Sequence, residues 1–185
     1  MARTPSNMLA LGTKAPFFEL PNPLSSGGVQ SLEALKGKEG TLIIFMCNHC
    51  PFVLHVIDKL TELYEDYSQK GIEFIAINSN DISQYPEDSP KKMVEFQKEK
   101  GFTFPYLFDE SQSLAKAYDA ACTPDFYFFD SKLDLIYRGQ MDSSRPGNDK
   151  EVTGDDLVVA FENLLAGEPQ ESEQFPSLGC NIKWK

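Results

Sequence analysis

Two short apolar runs, "TLIIFM" at 41–46 and "IEFIAIN" at 72–78, bracket a stretch in which Val53, Leu54, Val56, Ile57, Leu60, Leu63, Tyr64 and Tyr67 recur at helical spacing. No other feature limits the fold as strongly. Short apolar runs rich in β-branched residues read as buried strands, and apolar residues three and four apart line one side of a helix. Two buried strands joined through a helix imply a parallel pair with the helix on a face of the sheet. Gly71 ends the helix where a stop is expected.

The alternation continues along the chain. After the loop "SNDISQYPED", Ser89 caps a helix that has Pro90 at its first position and runs to Gly101. "FPYLF" at 104–108 reads as a short strand and "ESQSLAKAYDA" at 110–120 as a short helix. "DFYFFD" and "LDLIYRG" are strands joined by a turn around Ser131, an antiparallel hairpin. "TGDDLVVAFENLLAG" is an amphipathic helix with Thr153 as its N-cap. At the front, "PFFEL" and "VQS" flank the turn-rich "PNPLSSGG" and read as an extended ribbon. The expected fold is an α/β sandwich: a mixed central sheet with helices on its faces and an N-terminal ribbon.

A chain of 185 residues forms one domain with a single core. We place an extension at 1–11, the domain at 12–165, and a tail at 166–185 lying on it. The net charge of −11 repels phosphate backbones and anionic lipid, so neither nucleic acid nor a membrane is expected as a partner. "MLAL" near the start is too short for a secretory signal, and no run reaches the roughly 18 apolar residues that span a bilayer. The expected location is cytoplasmic. In a reducing compartment, cysteines serve in catalysis, metal binding or burial more often than in structural disulfides.

Two of the four cysteines and both histidines lie within "LIIFMCNHCPFVLHVIDKL". Cys47 follows the first buried strand and Cys50 falls at the first turn of the helix. Unpaired N–H groups and the positive dipole end at that turn favour an anion, so a thiol there loses its proton more easily. With two residues between them, Cys50 can attack a mixed disulfide formed on Cys47, the more exposed thiol on this reading. Pro51 suits a first helical turn because it lacks an N–H. Between the cysteines, Asn48 and His49 tune the couple; an imidazole beside the sulfurs favours thiolate over disulfide. A structural zinc site would want a second close pair of ligands, whereas only His49, His55 and the isolated Cys122 and Cys180 remain. His55 reads as a helix-face histidine, Cys122 as a buried small hydrophobe, and Cys180 as a tail cysteine. Arg138, Asp142 and Arg145 read as residues that order a loop.

Residues 12–165 resemble the redoxin branch of the thioredoxin superfamily, the alkyl hydroperoxide reductase/thiol-specific antioxidant (AhpC/TSA)-like proteins and their TlpA-type relatives. The matching pieces are "LGTKAPFFEL", "SLEALKGKEGTLIIF", "FMCNHCPFV" and "CTPDFYFFD". The resemblance implies a thioredoxin-like three-layer sandwich and a thiol–disulfide oxidoreductase. It also gives Thr123 and Pro124 a role: Pro124 would follow a cis bond and shape the substrate groove, and the backbone of Thr123 would pair with an incoming peptide. Two departures stand out. Met46 precedes Cys47 where thioredoxins commonly carry tryptophan. Peroxiredoxins use Pro-x-x-x-Thr/Ser-x-x-Cys, yet Ile44 and Gly40 precede Cys47, and Cys47 and Ile43 precede Cys50, at those spacings.

The expected activity is therefore exchange of a protein or small-molecule disulfide through Cys47 and Cys50, with electrons supplied by a dithiol donor. No cofactor is expected, since the chain has no Gly-x-Gly-x-x-Gly. A copper-binding thioredoxin-fold module and a weak thiol peroxidase remain as alternatives.

Overall fold

A computed structural model describes residues 3–25 and 28–185; Met1 and Ala2 of the extension, and Ser26 and Gly27 of the turn-rich connection, lie outside the described residues. In chain order the elements are β1 (Thr4–Pro5), β2 (Glu19–Pro21), β3 (Val29–Ser31), α1 (Leu32–Leu35), β4 (Gly40–Phe45), α2 (Pro51–Ser68), β5 (Ile72–Asn78), α3 (Pro90–Lys100), β6 (Tyr106–Phe108), α4 (Ser113–Ala117), β7 (Cys122–Thr123), β8 (Asp125–Asp130), β9 (Leu135–Gly139), α5 (Asp155–Ala166) and β10 (Leu178–Asn181).

The central sheet has the order β6-β5-β4-β8-β9. β4, β5 and β6 run parallel, β8 is antiparallel to β4, and β9 is antiparallel to β8. β4 lies in the middle and is buried along its whole length, as its continuous apolar run requires. Alternate residues serve opposite faces. Leu42 and Ile44 join Val53, Ile57 and Leu60 of α2, Met93 of α3 and Phe161 of α5. Ile43 and Phe45 join Phe18, Leu32, Leu114, Tyr118 and Tyr127 on the other side. Each such fully buried side chain stabilises the fold by roughly 1.5–3 kcal/mol. The result is a three-layer sandwich, with the β2–β3 ribbon attached at the front.

Several elements are shorter than their sequence pattern. β2 covers only the end of "PFFEL", and β6 begins after Pro105, which has no N–H to give a ladder. α4 spans five residues because Gln112 and Asp119 sit at positive φ on either side. Ser131 is in the hairpin turn as expected, but Leu133 also adopts positive φ, so β9 starts at Leu135. The expected cap at Thr153 is displaced by one residue. Gly154 is the N-cap of α5, and the carboxylate of Asp142 accepts from the backbone N–H groups of both Thr153 (2.9 Å) and Gly154 (2.7 Å).

The tail holds an element that its sequence does not announce. β10 pairs antiparallel with β1 on one side and β7 on the other. A Cβ at Gly179 would collide with the Thr123 carbonyl, so only glycine lets β10 lie this close to β7. The chain's C-terminal strand is thereby laid against the segment that leads into β8.

Candidate active site

Helix α2 starts at the end of β4, the central strand, and the loop between them carries Cys47, Asn48, His49 and Cys50. Cys50 is the N-cap of α2 rather than a residue of its first turn; Pro51 takes the first helical position. From the opposite side comes the β7–β8 junction, where the Thr123–Pro124 bond is cis. Cys47 Sγ lies 3.6 Å from Thr123 Oγ1, and the Cys50 thiol points to the Thr123 carbonyl oxygen at 3.1 Å. The residues singled out in the sequence therefore meet in one place.

The expectation that Cys47 is the more exposed sulfur corresponds to almost no difference: 2% exposure against 1% for Cys50. Both thiols lie inside the protein, and each affects the ionisation of the other. A hydrogen bond from Cys47 draws Cys50 down to about 5, against the cost of burial, with Thr123, Cys180 and the Val53 amide helping. Cys47 is held well above its ordinary value by that same hydrogen bond, then by burial and the charge of Asp88. The reduced pair thus gives up one proton readily and keeps the other between two sulfurs. A thiolate on Cys50 would face the Thr123 carbonyl at 3.1 Å, whereas a thiolate on Cys47 leaves Cys50 donating to it. A proton moved from Cys47 to Cys50 would put the thiolate on Cys47.

Asp88 is the residue that sequence reasoning missed. It comes from the "SNDISQYPED" loop and has no exposed surface. Its Oδ1 accepts the Asn48 N–H (2.9 Å); its Oδ2 accepts Asn80 Nδ2 (2.7 Å) and His49 Nδ1 (3.0 Å). A carboxylate only accepts, so Nδ1 of His49 carries the hydrogen. The ring is also stacked flat on Tyr85, 5.9 Å between centroids. Asn48 is fastened further: its amide donates to Glu87 O (2.8 Å) and its Oδ1 accepts from Tyr106 OH (2.9 Å). Both intervening residues of the motif are thus held by the loop that follows β5. An acid directly ahead of Ser89–Pro90 looks like an ordinary helix-start acid, and no local pattern betrays its burial.

Other expectations can be placed. The backbone of Thr123 does not wait for a peptide: it stands opposite Cys180 in the β7–β10 pair. Cys122 is fully buried, its thiol pushed up by desolvation and pointing to Pro124 O at 3.6 Å. His55 bonds Ser144 Oγ through Nε2 at 2.8 Å. Arg138 donates to Leu9 O, Arg145 donates to the carbonyls of Asp142 and Ser144, and the Asp142 carboxylate accepts three backbone N–H groups. The donor atoms of Cys47, His49 and Asp88 lie within 4.8 Å of one another, a spacing that a cation could bridge.

Asp125, first residue of β8, is buried beside the site. Its Oδ2 accepts from Tyr127 OH (3.0 Å) and Ala121 N–H (3.3 Å), while Oδ1 has no partner among the described residues. Desolvation raises this carboxyl from 3.8 to about 6. With the folded value above the unfolded one, its stabilising contribution is complete below 3.8 and is lost as pH rises through 6. The loss amounts to roughly 3 kcal/mol at about 1.4 kcal/mol per unit. Asp125→Asn is expected to remove it. Denaturant midpoints at acid and neutral pH should show the variant gaining on the parent as pH rises; an unchanged difference would contradict this.

The chain from 10 to 157 matches the family model described as Redoxin. It is 28% identical to thiol-disulfide oxidoreductase ResA of Geobacillus thermodenitrificans over 141 residues, 75% of either chain. Among solved structures, an uncharacterized conserved protein from Geobacillus kaustophilus is 54% identical with a TM-score of 0.97, covering 100% of this chain and 97% of that one. The thioredoxin domain of a thiol-disulfide oxidoreductase from Bacteroides vulgatus shares the fold at 18% identity, with a TM-score of 0.66 over 85% of this chain and 99% of that one.

Proposed function

The chain belongs to the redoxin family, and we propose that it is a thiol–disulfide oxidoreductase whose exchange runs through Cys47 and Cys50. One observation carries the reading. At the N-terminus of α2 both sulfurs meet Thr123, Cys47 at its hydroxyl (3.6 Å) and Cys50 at its carbonyl (3.1 Å), and Cys50 is drawn down to about 5 by its neighbour Cys47.

The Cys47 thiolate attacks one sulfur of a substrate disulfide. The substrate S–S bond breaks, a mixed disulfide forms on Cys47, and half of the substrate departs as a thiolate that takes a proton from solvent. Cys50, once its proton is lost, attacks Cys47 Sγ and releases the other half. The substrate has gained two electrons and the chain holds a Cys47–Cys50 disulfide, which a dithiol donor reduces by the same steps in reverse. Asn48 and His49, fixed through Asp88, keep the loop from shifting as the charge moves. Thr123 lies within reach of Cys47 through its hydroxyl, and Pro124 follows it through the cis bond. Substrates are protein or small-molecule disulfides, and the donor is another dithiol.

Reduced protein mixed with a protein disulfide and a dithiol donor should speed disulfide reduction well beyond the donor alone; no acceleration would refute the reading. A second reading rests on the Cys47–His49–Asp88 spacing, which suits a soft or borderline cation. Against it, the Asp88 carboxylate already holds three donors. Reduced protein offered Zn²⁺ takes up one equivalent on that reading, and none on ours.

A further inference from the structure

The C-terminal strand lies along the edge where an incoming peptide was expected, and it brings a cysteine with it. Cys180 stands directly opposite Thr123 in the β7–β10 pair, and Thr123 also receives the Cys50 thiol on its carbonyl. One residue thus locates both sulfurs. The Cys180 and Cys50 side chains are near enough for each to shift the other's ionisation. Cys47, Cys50 and Cys180 belong to one buried cluster. Gly179 permits the approach, since any larger residue would strike Thr123. Of the three sulfurs' residues Cys180 is the most exposed, at 8% against 2% and 1%.

We propose that Cys180 is a third redox thiol of this site, which takes Cys50 over from the Cys47–Cys50 disulfide. The inference rests on Cys47 and Cys50 being the exchanging pair. Cys180, as thiolate, attacks Cys50 Sγ; the Cys50–Cys180 bond forms, the Cys47–Cys50 bond breaks, and Cys47 leaves as a thiolate. The proton given up by Cys180 ends on Cys47. No electron enters or leaves, so no further reactant is needed. Burial raises the Cys180 thiol to about 12, which makes the step slow at neutral pH and faster in alkali. The oxidised chain then stores its disulfide between α2 and β10, with Cys47 again a thiol. β10 is pinned to the site in that state and can peel away only after reduction.

Cys47→Ser treated with oxidised glutathione tests the step directly. Glutathione should add to Cys50 and then be expelled as Cys180 attacks, leaving a Cys50–Cys180 bridge that alkylation and peptide mass mapping identify. A lasting glutathione adduct on Cys50, with Cys180 alkylated, overturns the proposal. The unsubstituted chain needs no altered fold: equilibrated in a glutathione buffer, it should show the Cys50–Cys180 bridge beside the Cys47–Cys50 one, and its absence would also overturn the proposal. Cys180→Ser separates the two ideas. If it forms the Cys47–Cys50 bridge while Cys47→Ser forms none, the exchanging pair stands and the third thiol falls. If Cys47→Ser bridges and Cys180→Ser does not, the link to Cys180 stands and the Cys47–Cys50 pairing is what fails.

Discussion

Cys47→Ser is expected to lower disulfide-exchange activity by about 10³-fold or more, the scale seen when a covalent nucleophile is removed. Cys50→Ser is expected to fail differently. Its Cys47 can still attack, but nothing adjacent on α2 completes the exchange, so the chain accumulates a mixed disulfide with its substrate. Non-reducing electrophoresis with a protein disulfide distinguishes the two: a trapped adduct for Cys50→Ser and none for Cys47→Ser. The distinction rests on geometry, since Cys50 is the N-cap of α2 and donates to the Thr123 carbonyl. The opposite pattern, an adduct trapped through Cys50 in Cys47→Ser, would exchange the two roles.

The acidity of the pair has the second large consequence. Alkylation of the reduced protein by iodoacetamide should rise with pH around a midpoint near 5, the value to which the hydrogen bond from Cys47 draws Cys50. Ordinary thiols show that midpoint at about 8.5. The rate itself is a poor guide at neutral pH. Full ionisation gains roughly 30-fold over an ordinary thiol, while a thiolate of such low basicity loses a comparable factor in nucleophilicity. The equilibrium is less ambiguous. At pH 7 a thiol at 5 rather than 9 favours the reduced form by about two powers of ten. That is close to 2.7 kcal/mol, or about 60 mV towards oxidising power. A midpoint near 8.5 in the alkylation profile would remove the basis for this shift.

Much of this molecule is legible in its sequence, for identifiable reasons. "TLIIFM" and "IEFIAIN" became the neighbouring parallel strands β4 and β5 because both are buried on two faces and need no alternation. Cys47 and Cys50 could be placed because the strand before them and the helix after them both carry strong periodic signals. Thr123 and Pro124 could be placed only through the family resemblance; spacing alone offered no reason to bring them to the cysteines.

What stayed hidden depends on long-range polar contacts. Asp88 is stabilised by Asn48, forty residues away, and by Asn80, within a loop that has no hydrophobic period. The cap of α5 moved from Thr153 to Gly154 because Asp142, itself in a loop, supplies a better acceptor to two amides at once. β10 is four residues long and includes a glycine, too short for alternation to register. Its position is set by the edges of β1 and β7 that it fills. The same strand explains why the backbone of Thr123 is engaged within the chain instead of standing open.

The central claim is most directly tested by equilibrating the protein across graded glutathione buffers, quenching with an alkylating reagent and mapping linked cysteines by mass. Predicted is a reversible Cys47–Cys50 bridge whose midpoint is more oxidising than the roughly −270 mV of thioredoxin. A chain in which Cys47 and Cys50 remain separately alkylated at every poise would contradict it.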